Sequence, residues 1–414
     1  MKGQILIAAG GWHADSPGGA YRLPSDFARY LVAQGQRVAY LCPSRLTSLS
    51  NPEDCGGVEV NRYFVDGSSS PSMTNLVAHL HRSRGVAARI ASRETVNVLL
   101  GHSPLQYLGS LLGCRPVRKC YTVHSSFAAE LRSNWSSRPR LRTRAAWTVA
   151  KIIEGYLCSK SDVVQCFSDY IRCEVQRDYG SGLTGKFVVL PAWVDTNHFT
   201  PSTESPPQVR ARLGVPWDPQ VTTFITVRRL VPRMGLDTLL EAAAILLNEG
   251  YDFKLIIAGE GPQLEPLRNQ SSALRLQERV TFLGRVSEKQ LVDIFRAGDC
   301  FALPTRSLEG FGLIILEAYA CGTPVIAVPV GAIPEVLGAS LHDWLARDNS
   351  PAALAQRMRD FLTRRLIADR ERLRRRALEF DFHAMAALHK RVLLQMDADI
   401  VTSIQIGATS SNCP

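Results

Sequence analysis

Short apolar runs alternate with helical patterns along almost the whole chain, and that rhythm restricts the fold to parallel sheets built from β/α/β units. Strands are predicted at Gln4–Ala8, Arg37–Cys42, Val96–Leu100, Lys119–Val123, Val163–Cys166 and Phe187–Leu190. Between the first two, Phe27, Tyr30 and Leu31 fall at helical spacing within Tyr21–Gln34, and Gly35 supplies a stop. Periodicity breaks at Thr200-Pro201-Ser202-Thr203-Glu204-Ser205-Pro206-Pro207, a linker composition. The alternation then restarts, with strands at Thr222–Val227, Lys254–Ala258, Val280–Leu283, Cys300–Leu303 and Val325–Val328. Helices are predicted between them at Leu236–Asn248, Pro262–Asn269, Glu288–Arg296 and Leu313–Ala320. The expected organisation is therefore α/β, with Rossmann-like domains over residues 1–200 and 201–380. A length of 414 residues suits two lobes with a cleft between them. The stretch from Phe380 to Met396 is amphipathic, and the Ser-, Thr- and Gly-rich residues 401–414 read as a flexible tail.

Hydrophobic residues make up 45% and charged residues 21%, which argues against extended disorder and against a membrane-spanning protein. The apolar run Ile5-Leu6-Ile7-Ala8-Ala9 breaks at Gly10-Gly11, too soon for a signal-peptide core or a spanning helix, so the chain reads as cytoplasmic. The ten cysteines are scattered without a Cys-x-x-Cys, a pattern of buried thiols rather than a disulfide framework or zinc ribbon. Charge is uneven: residues 1–200 hold 23 Lys+Arg against 14 Asp+Glu, net +9, and residues 201–414 hold 25 against 24, net +1, together +10. The basic first half attracts an anionic partner, whether a phospholipid surface, a phosphorylated acceptor or nucleic acid. Arg138, Arg140, Arg142 and Arg144, interleaved with Trp135, Trp147, Val149 and Ile152, match an interfacial helix as well as a solvated basic one.

The densest chemistry lies at Glu309-Gly310-Phe311-Gly312-Leu313-Ile314-Ile315-Leu316-Glu317, after a strand and at the start of a helix. Glu309 and Glu317 would stand roughly 12 Å apart at ~1.5 Å rise per residue, a span that suits a diphosphate with a sugar at one end and a ribose at the other. Glycines let the backbone approach phosphate, and the helix N-terminus offers unpaired N–H groups. Two surface acids are the other reading of the pair. Arg228, Arg229 and Arg233 follow the first strand of the second domain, where guanidinium forks suit phosphate oxygens. In the first domain Gly18-Gly19 lies between a strand and a helix, and His124 closes a strand. Neither is diagnostic alone, and Gly-x-Gly-x-x-Gly of a dinucleotide enzyme is missing from that turn. The only Asp-x-Asp, Asp397-Ala398-Asp399, sits at the end of the last helix, so no metal site is expected.

Taken together these segments resemble the retaining GT-B glycosyltransferases of glycosyltransferase family 4. The resemblance is strongest over Phe282–Leu337, "FLGRVSEKQLVDIFRAGDCFALPTRSLEGFGLIILEAYACGTPVIAVPVGAIPEVL". Further blocks follow in family order: "VRRLVPRMGLDTLLEA", "IIAGEGP", "LPAWVDTNHFTP" and, more weakly, "GGAYRLPSDFARYLVAQGQRVAYLCP" and "YTVHSSF". The resemblance implies two Rossmann-like domains facing a central cleft, with a C-terminal helix over 381–400 crossing back to the first domain. It implies that Glu309 and the backbone of Gly310, Phe311, Gly312 and Leu313 hold the donor sugar and diphosphate, Glu317 the ribose, and Arg229 the phosphates. His124 would approach the donor sugar, and Gly19 would lie near the diphosphate. The family usually has lysine where Met234 stands, and either Arg233 or Arg228 would supply that charge. Ala192-Trp193 replaces the Asn-Gly pair common before "VD".

The expected activity is metal-independent transfer of a sugar, with retention, from a nucleoside diphosphate sugar, the donor substrate, to an acceptor glycan, lipid-linked sugar or small molecule. No cofactor is expected, no nucleic acid partner, and peripheral association with the inner face of an anionic membrane is the expected attachment. The rival readings are a nucleotide-sugar 2-epimerase of the same architecture and a non-catalytic polyanion-binding protein.

Overall fold

The structure is a computed structural model that describes residues 3–15, 18–45, 51–65, 73–134, 140–180, 185–204, 206–214, 218 and 220–395. Contacts divide the chain into two compact units, residues 1–192 together with residues from His383 onward, and Trp193–Phe382. The division falls ahead of the Pro- and Ser-rich stretch because residues 193–200 are tied into the second unit. Val194 N donates to Phe380 O at 2.9 Å, Phe382 N to Val194 O at 3.0 Å, and Arg296 Nε to Thr200 O at 2.7 Å. A helix, Pro206–Arg212, then begins inside the stretch that composition marks as linker. The expected tail over 401–414, Asp397-Ala398-Asp399, Trp135 and Arg138 lie outside the described residues.

The first unit is an eight-stranded sheet of β1 (Gln4–Ala8), β2 (Val38–Ser44), β3 (Glu53–Asp54), β4 (Val58–Phe64), β5 (Val96–Gly101), β6 (Arg118–Val123), β7 (Val163–Cys166) and β8 (Phe187–Val189). Its order is β3-β4-β2-β1-β5-β6-β7-β8, parallel throughout except that β3 runs antiparallel to β4. Every residue of β1 is buried, as expected of a strand covered on both faces. β4 was hidden in the sequence by buried polar side chains. Arg62, 5% exposed, is tolerated there because Asp15 and Glu53 both accept from its guanidinium. The helix Phe382–Lys390 packs with this unit from His383 on: His389 Nε2 meets Pro191 O at 2.8 Å, and Arg118 Nη2 donates to Val392 O at 2.9 Å.

The second unit is a five-stranded parallel sheet of β9 (Thr223–Val227), β10 (Lys254–Ala258), β11 (Val280–Gly284), β12 (Cys300–Leu303) and β13 (Val325–Ala327), ordered β11-β10-β9-β12-β13. Strand order therefore reverses between β9 and β12, and loops leaving the carboxyl ends of these neighbours diverge to leave a crevice. The helix Arg370–Leu378 lays arginines on backbone carbonyls. Arg374 donates to Thr196 O, Phe199 O and Ala320 O at 2.7 Å, and Arg376 to Val336 O at 3.0 Å.

Two glycines bring the crevice loops together. Gly235 has φ 69°, and a Cβ there would collide with Pro304 O; Gly331 has φ 61°, and a Cβ would collide with Glu309 O. We expect Gly235→Ala to cost about 2–4 kcal/mol through combined left-handed strain and loop displacement. Urea denaturation checks this, and an unchanged midpoint contradicts it.

Candidate functional site

The crevice of the second unit gathers the residues expected to hold a ligand. β9 runs out at Val227, and Arg228 N continues the pairing to Ala258 O at 3.0 Å, so the arginine cluster starts in extended backbone at the strand end. The turn Pro232–Met234 closes on Gly235, which begins the helix Leu236–Asn248. Opposite, β12 delivers Pro304 to Gly312, and Arg306 N donates to Arg233 O at 2.8 Å, tying the two loops. Leu308, a non-glycine residue at φ 60°, is held in that conformation with Arg233 Nη1 donating to its carbonyl at 3.2 Å.

Each expected residue has a distinct environment. Glu309 is 13% exposed, and its Oε2 accepts from Arg228 Nη2, itself on a side chain 10% exposed. Arg228 Nη2 also donates to Thr305 Oγ1 at 3.1 Å. Arg229 is exposed, and its side chain has no hydrogen-bond or ion-pair partner among the described residues. Met234 is buried, 6% exposed, so the position where the resembling family carries lysine belongs to the core here. Gly312, at φ 89°, caps the helix Leu313–Ala320 without a side-chain acceptor; Ile315 N turns back to Gly312 O at 2.9 Å, and the N–H groups of Leu313 and Ile314 have no side-chain cap. Gly310, Phe311 and Gly312 are buried and Leu313 is half-buried. Phe311 packs edge-on to Phe380, ring centroids 5.8 Å apart. Glu317 sits one turn into that helix, 8% exposed. The fixed carboxylate, the helix N-terminus and three arginines thus share one strand-order reversal.

In the first unit the reversal lies between β1 and β5. Gly19 opens the helix Gly19–Ala33 and is exposed, while Tyr21 of that helix packs over Gly10 and Gly11. His124 follows β6 and His102 follows β5; His102 Nδ1 and His124 Nε2 are 3.2 Å apart. Phe167 faces His124 edge-on at 5.0 Å and lies 6.4 Å from His389. Burial lowers His124 to about 4 and His389 to about 4, and lowers His102 well below the ordinary value, with the neighbouring imidazoles adding to the effect on His102. All three are neutral at pH 7.

Behind His124 lies a fully buried carboxyl that sequence reasoning missed. Glu154 accepts from Tyr179 OH at 2.6 Å, Tyr121 OH at 3.2 Å and Phe127 N at 3.0 Å, the last at the start of the helix Phe127–Asn134. Only its helical spacing hinted at burial. His102 had a weaker signal, since it lies two residues after the predicted strand Val96–Leu100. Among the described residues no three His, Cys, Asp or Glu side chains converge as metal ligands, and no helix is long and apolar enough to cross a membrane.

Burial pushes Glu154 up to about 7 from 4.5, so the folded chain holds a proton that the unfolded chain releases. That contribution to stability is fully present below pH 4.5 and is lost as pH rises through 7, up to about 3 kcal/mol. We expect Glu154→Gln to flatten the decline between pH 5 and 8, read from urea midpoints; parallel profiles contradict it.

Residues 17–198 match the family described as Glycosyltransferase Family 4, and residues 212–380 match Glycosyl transferases group 1. The chain is 32% identical over 241 residues to the GDP-mannose-dependent alpha-(1-6)-phosphatidylinositol monomannoside mannosyltransferase of Mycolicibacterium smegmatis, covering 57% of this chain and 58% of that one. It is 37% identical over 190 residues to the D-inositol 3-phosphate glycosyltransferase of the same organism, 41% of each. The chain thus spans about half the length of the relatives it matches. Among solved structures it resembles a sucrose-phosphate synthase from Thermosynechococcus elongatus, with TM-score 0.79 at 20% identity, over 96% of this chain and 100% of that one. It also resembles Anabaena HepE in complex with UDP-glucose, with TM-score 0.71 at 18% identity, over 94% and 99%.

Proposed function

We propose that this chain, which belongs to glycosyltransferase family 4 and has the two Rossmann-like domains of the GT-B fold, transfers a glycosyl group from a nucleoside diphosphate sugar to an acceptor hydroxyl. One observation carries the reading: a carboxylate held at Glu309, a helix N-terminus after Gly312 with no side-chain cap, and the exposed Arg229, unpartnered among the described residues, all meet at the β9/β12 reversal. Breaking the bond from the anomeric carbon to phosphate places two developing charges side by side. The leaving diphosphate gains negative charge, which Arg229, Arg233 and the helix N-terminus offset without reorganisation. The sugar gains positive charge as the bond breaks. The acceptor oxygen attacks the anomeric carbon from the leaving-group face, and its proton passes to the departing phosphate oxygen, which retains configuration. Arginine charge takes the part a divalent cation would otherwise play, so the reaction runs without one. Glu309 accepts hydrogen bonds from sugar hydroxyls and Glu317 from ribose hydroxyls, a role suited to carboxylates with two acceptor oxygens.

The relatives are named for a GDP-mannose donor and for phosphatidylinositol mannoside and inositol phosphate acceptors, while HepE is described with UDP-glucose. A polar lipid or phosphorylated polyol is the acceptor class that best fits the basic first half of the chain. The exposed Val149, Ile152 and Tyr156 recur on one side of the helix Arg140–Lys160, flanked by Arg144, Lys151 and Lys160, and this supports peripheral attachment to an anionic membrane. Val149, at 37% exposure, and Ile152, at 66%, would insert while the cations meet headgroups.

Incubation with UDP, GDP, ADP and TDP sugars and lipid or polyol acceptors should give a product of unchanged anomeric configuration by proton NMR, at a rate unaffected by EDTA. Arg229→Ala, Glu309→Ala and Glu317→Ala should each lower turnover by about 10²–10³; near-normal transfer by all three contradicts the assignment, and donor rearrangement without acceptor points to an epimerase. Flotation with vesicles containing phosphatidylglycerol should recover the chain at low salt, and Ile152→Glu should reduce recovery several-fold. Equal recovery on neutral vesicles contradicts the membrane reading.

A further inference from the structure

The three arginines after β9 are not equivalent. Arg229 is exposed without a side-chain partner among the described residues, so its charge is available to an anion, and Arg233 Nη1 donates to the Leu308 carbonyl. Arg228 is different: its guanidinium is nearly buried and is matched to one carboxylate, Glu309, with the fully buried Thr305 hydroxyl completing the contact. A cation already paired at close range adds little to the binding of a phosphate, whereas it adds much to the orientation of its own partner.

The partner is the residue for which orientation matters most. Backbone contacts fix where Glu309 starts, because Ala332 N donates to Glu309 O at 2.9 Å and Gly331 packs on the same carbonyl. They leave the side-chain torsions free. Arg228 Nη2 takes Oε2, and Thr305 Oγ1 lies 3.4 Å from that same oxygen, so Oε2 is committed and Oε1 is the oxygen left to accept from a ligand. Arg228 Nε is also buried and donates to nothing among the described residues, an unspent donor that a polar ligand in the crevice would satisfy.

We propose that Arg228 is a positioning residue that locks the Glu309 carboxylate through Oε2 and so presents Oε1 to a hydroxyl of the donor sugar, rather than serving as the second cation for the diphosphate. This rests on the donor-site reading above. It assigns the charge missing at Met234 to Arg233. It also makes sugar recognition depend on a contact between β9 and β12 that touches neither phosphate nor base.

A double-mutant cycle on the full chain decides between the two roles. Wild type, Arg228→Gln, Glu309→Gln and the double variant are titrated with UDP, GDP, ADP and TDP and with the corresponding sugar nucleotides. Release of nucleoside diphosphate from the sugar nucleotide with water as acceptor gives kcat and KM. Arg228→Gln should leave affinity for the free nucleoside diphosphate within about twofold and lower kcat by about ten- to a hundredfold. It should add less than about twofold to the loss caused by Glu309→Gln, because without a carboxylate there is nothing to position. Arg228→Lys, which keeps the charge but not the fork, should recover only part of kcat. The double variant removes both buried charges and serves as the folding control, with a melting temperature nearer wild type than that of Arg228→Gln. A tenfold loss of free nucleoside diphosphate binding in Arg228→Gln, or multiplicative losses in the double variant, overturns the positioning role. If wild type binds no nucleotide of either kind, the donor-site reading itself falls, a result distinct from either outcome of the cycle.

Discussion

Much of the second unit's chemistry depends on how closely the loop after β9 approaches the loop after β12. Pro304 can lie against Gly235 only because that residue lacks a Cβ, and the same holds for the Glu309 carbonyl against Gly331. Once the loops touch, Arg306 N reaches Arg233 O, Arg233 reaches Leu308 O, and Arg228 reaches Glu309. A crevice of this kind arises wherever a parallel sheet reverses its strand order, but its width is set locally. Here glycines set it narrow enough for direct ion pairing across it. The left-handed Leu308 is a further sign that the backbone beside Glu309 is held by its neighbours and not by its own preference.

The two units differ in electrostatic character at their strand ends. The second offers arginines and a helix N-terminus. The first offers imidazoles kept uncharged by burial, with His102 against His124 and with His389 fixed between Gln165 and the Pro191 carbonyl. Desolvation alone lowers His124 to about 4. The buried Glu154 works at one remove, since it ties the helix starting at Phe127 to Tyr121 and Tyr179 and so braces the turn that carries His124.

What could be read in the sequence follows from how local each signal is. β1, β7, β10 and β12, and the helices Leu236–Asn248 and Leu313–Ala320, match their predicted ranges residue for residue because each is an uninterrupted apolar or amphipathic run. β4 escaped notice because it buries two polar residues, Asn61 and Arg62, and the Asp15 carboxylate that pairs with Arg62 lies 47 positions away. The Glu309–Glu317 block was legible as chemistry, since acids, glycines and a helix start sit within a few positions. The Arg228–Glu309 pair was not, being 81 residues apart and dependent on β9 lying beside β12. The same holds for His102 and His124, which meet because β5 and β6 are neighbours. Composition placed the boundary in the Pro- and Ser-rich stretch, but hydrogen bonds from Val194, Arg296 and Arg374 draw residues 193–200 into the second unit.

The central claim is that a sugar nucleotide sits at the β9/β12 reversal. Hydrogen–deuterium exchange of the full chain with and without the tightest-binding sugar nucleotide tests it directly, because a seated diphosphate covers the N–H groups after Gly312 and stiffens both loops. The account predicts that protection within the second unit is concentrated in peptides covering 228–235 and 304–314, while β10 and β11 exchange as before. Saturating ligand that leaves those two segments unprotected, or that protects the β10–β11 edge instead, would contradict it.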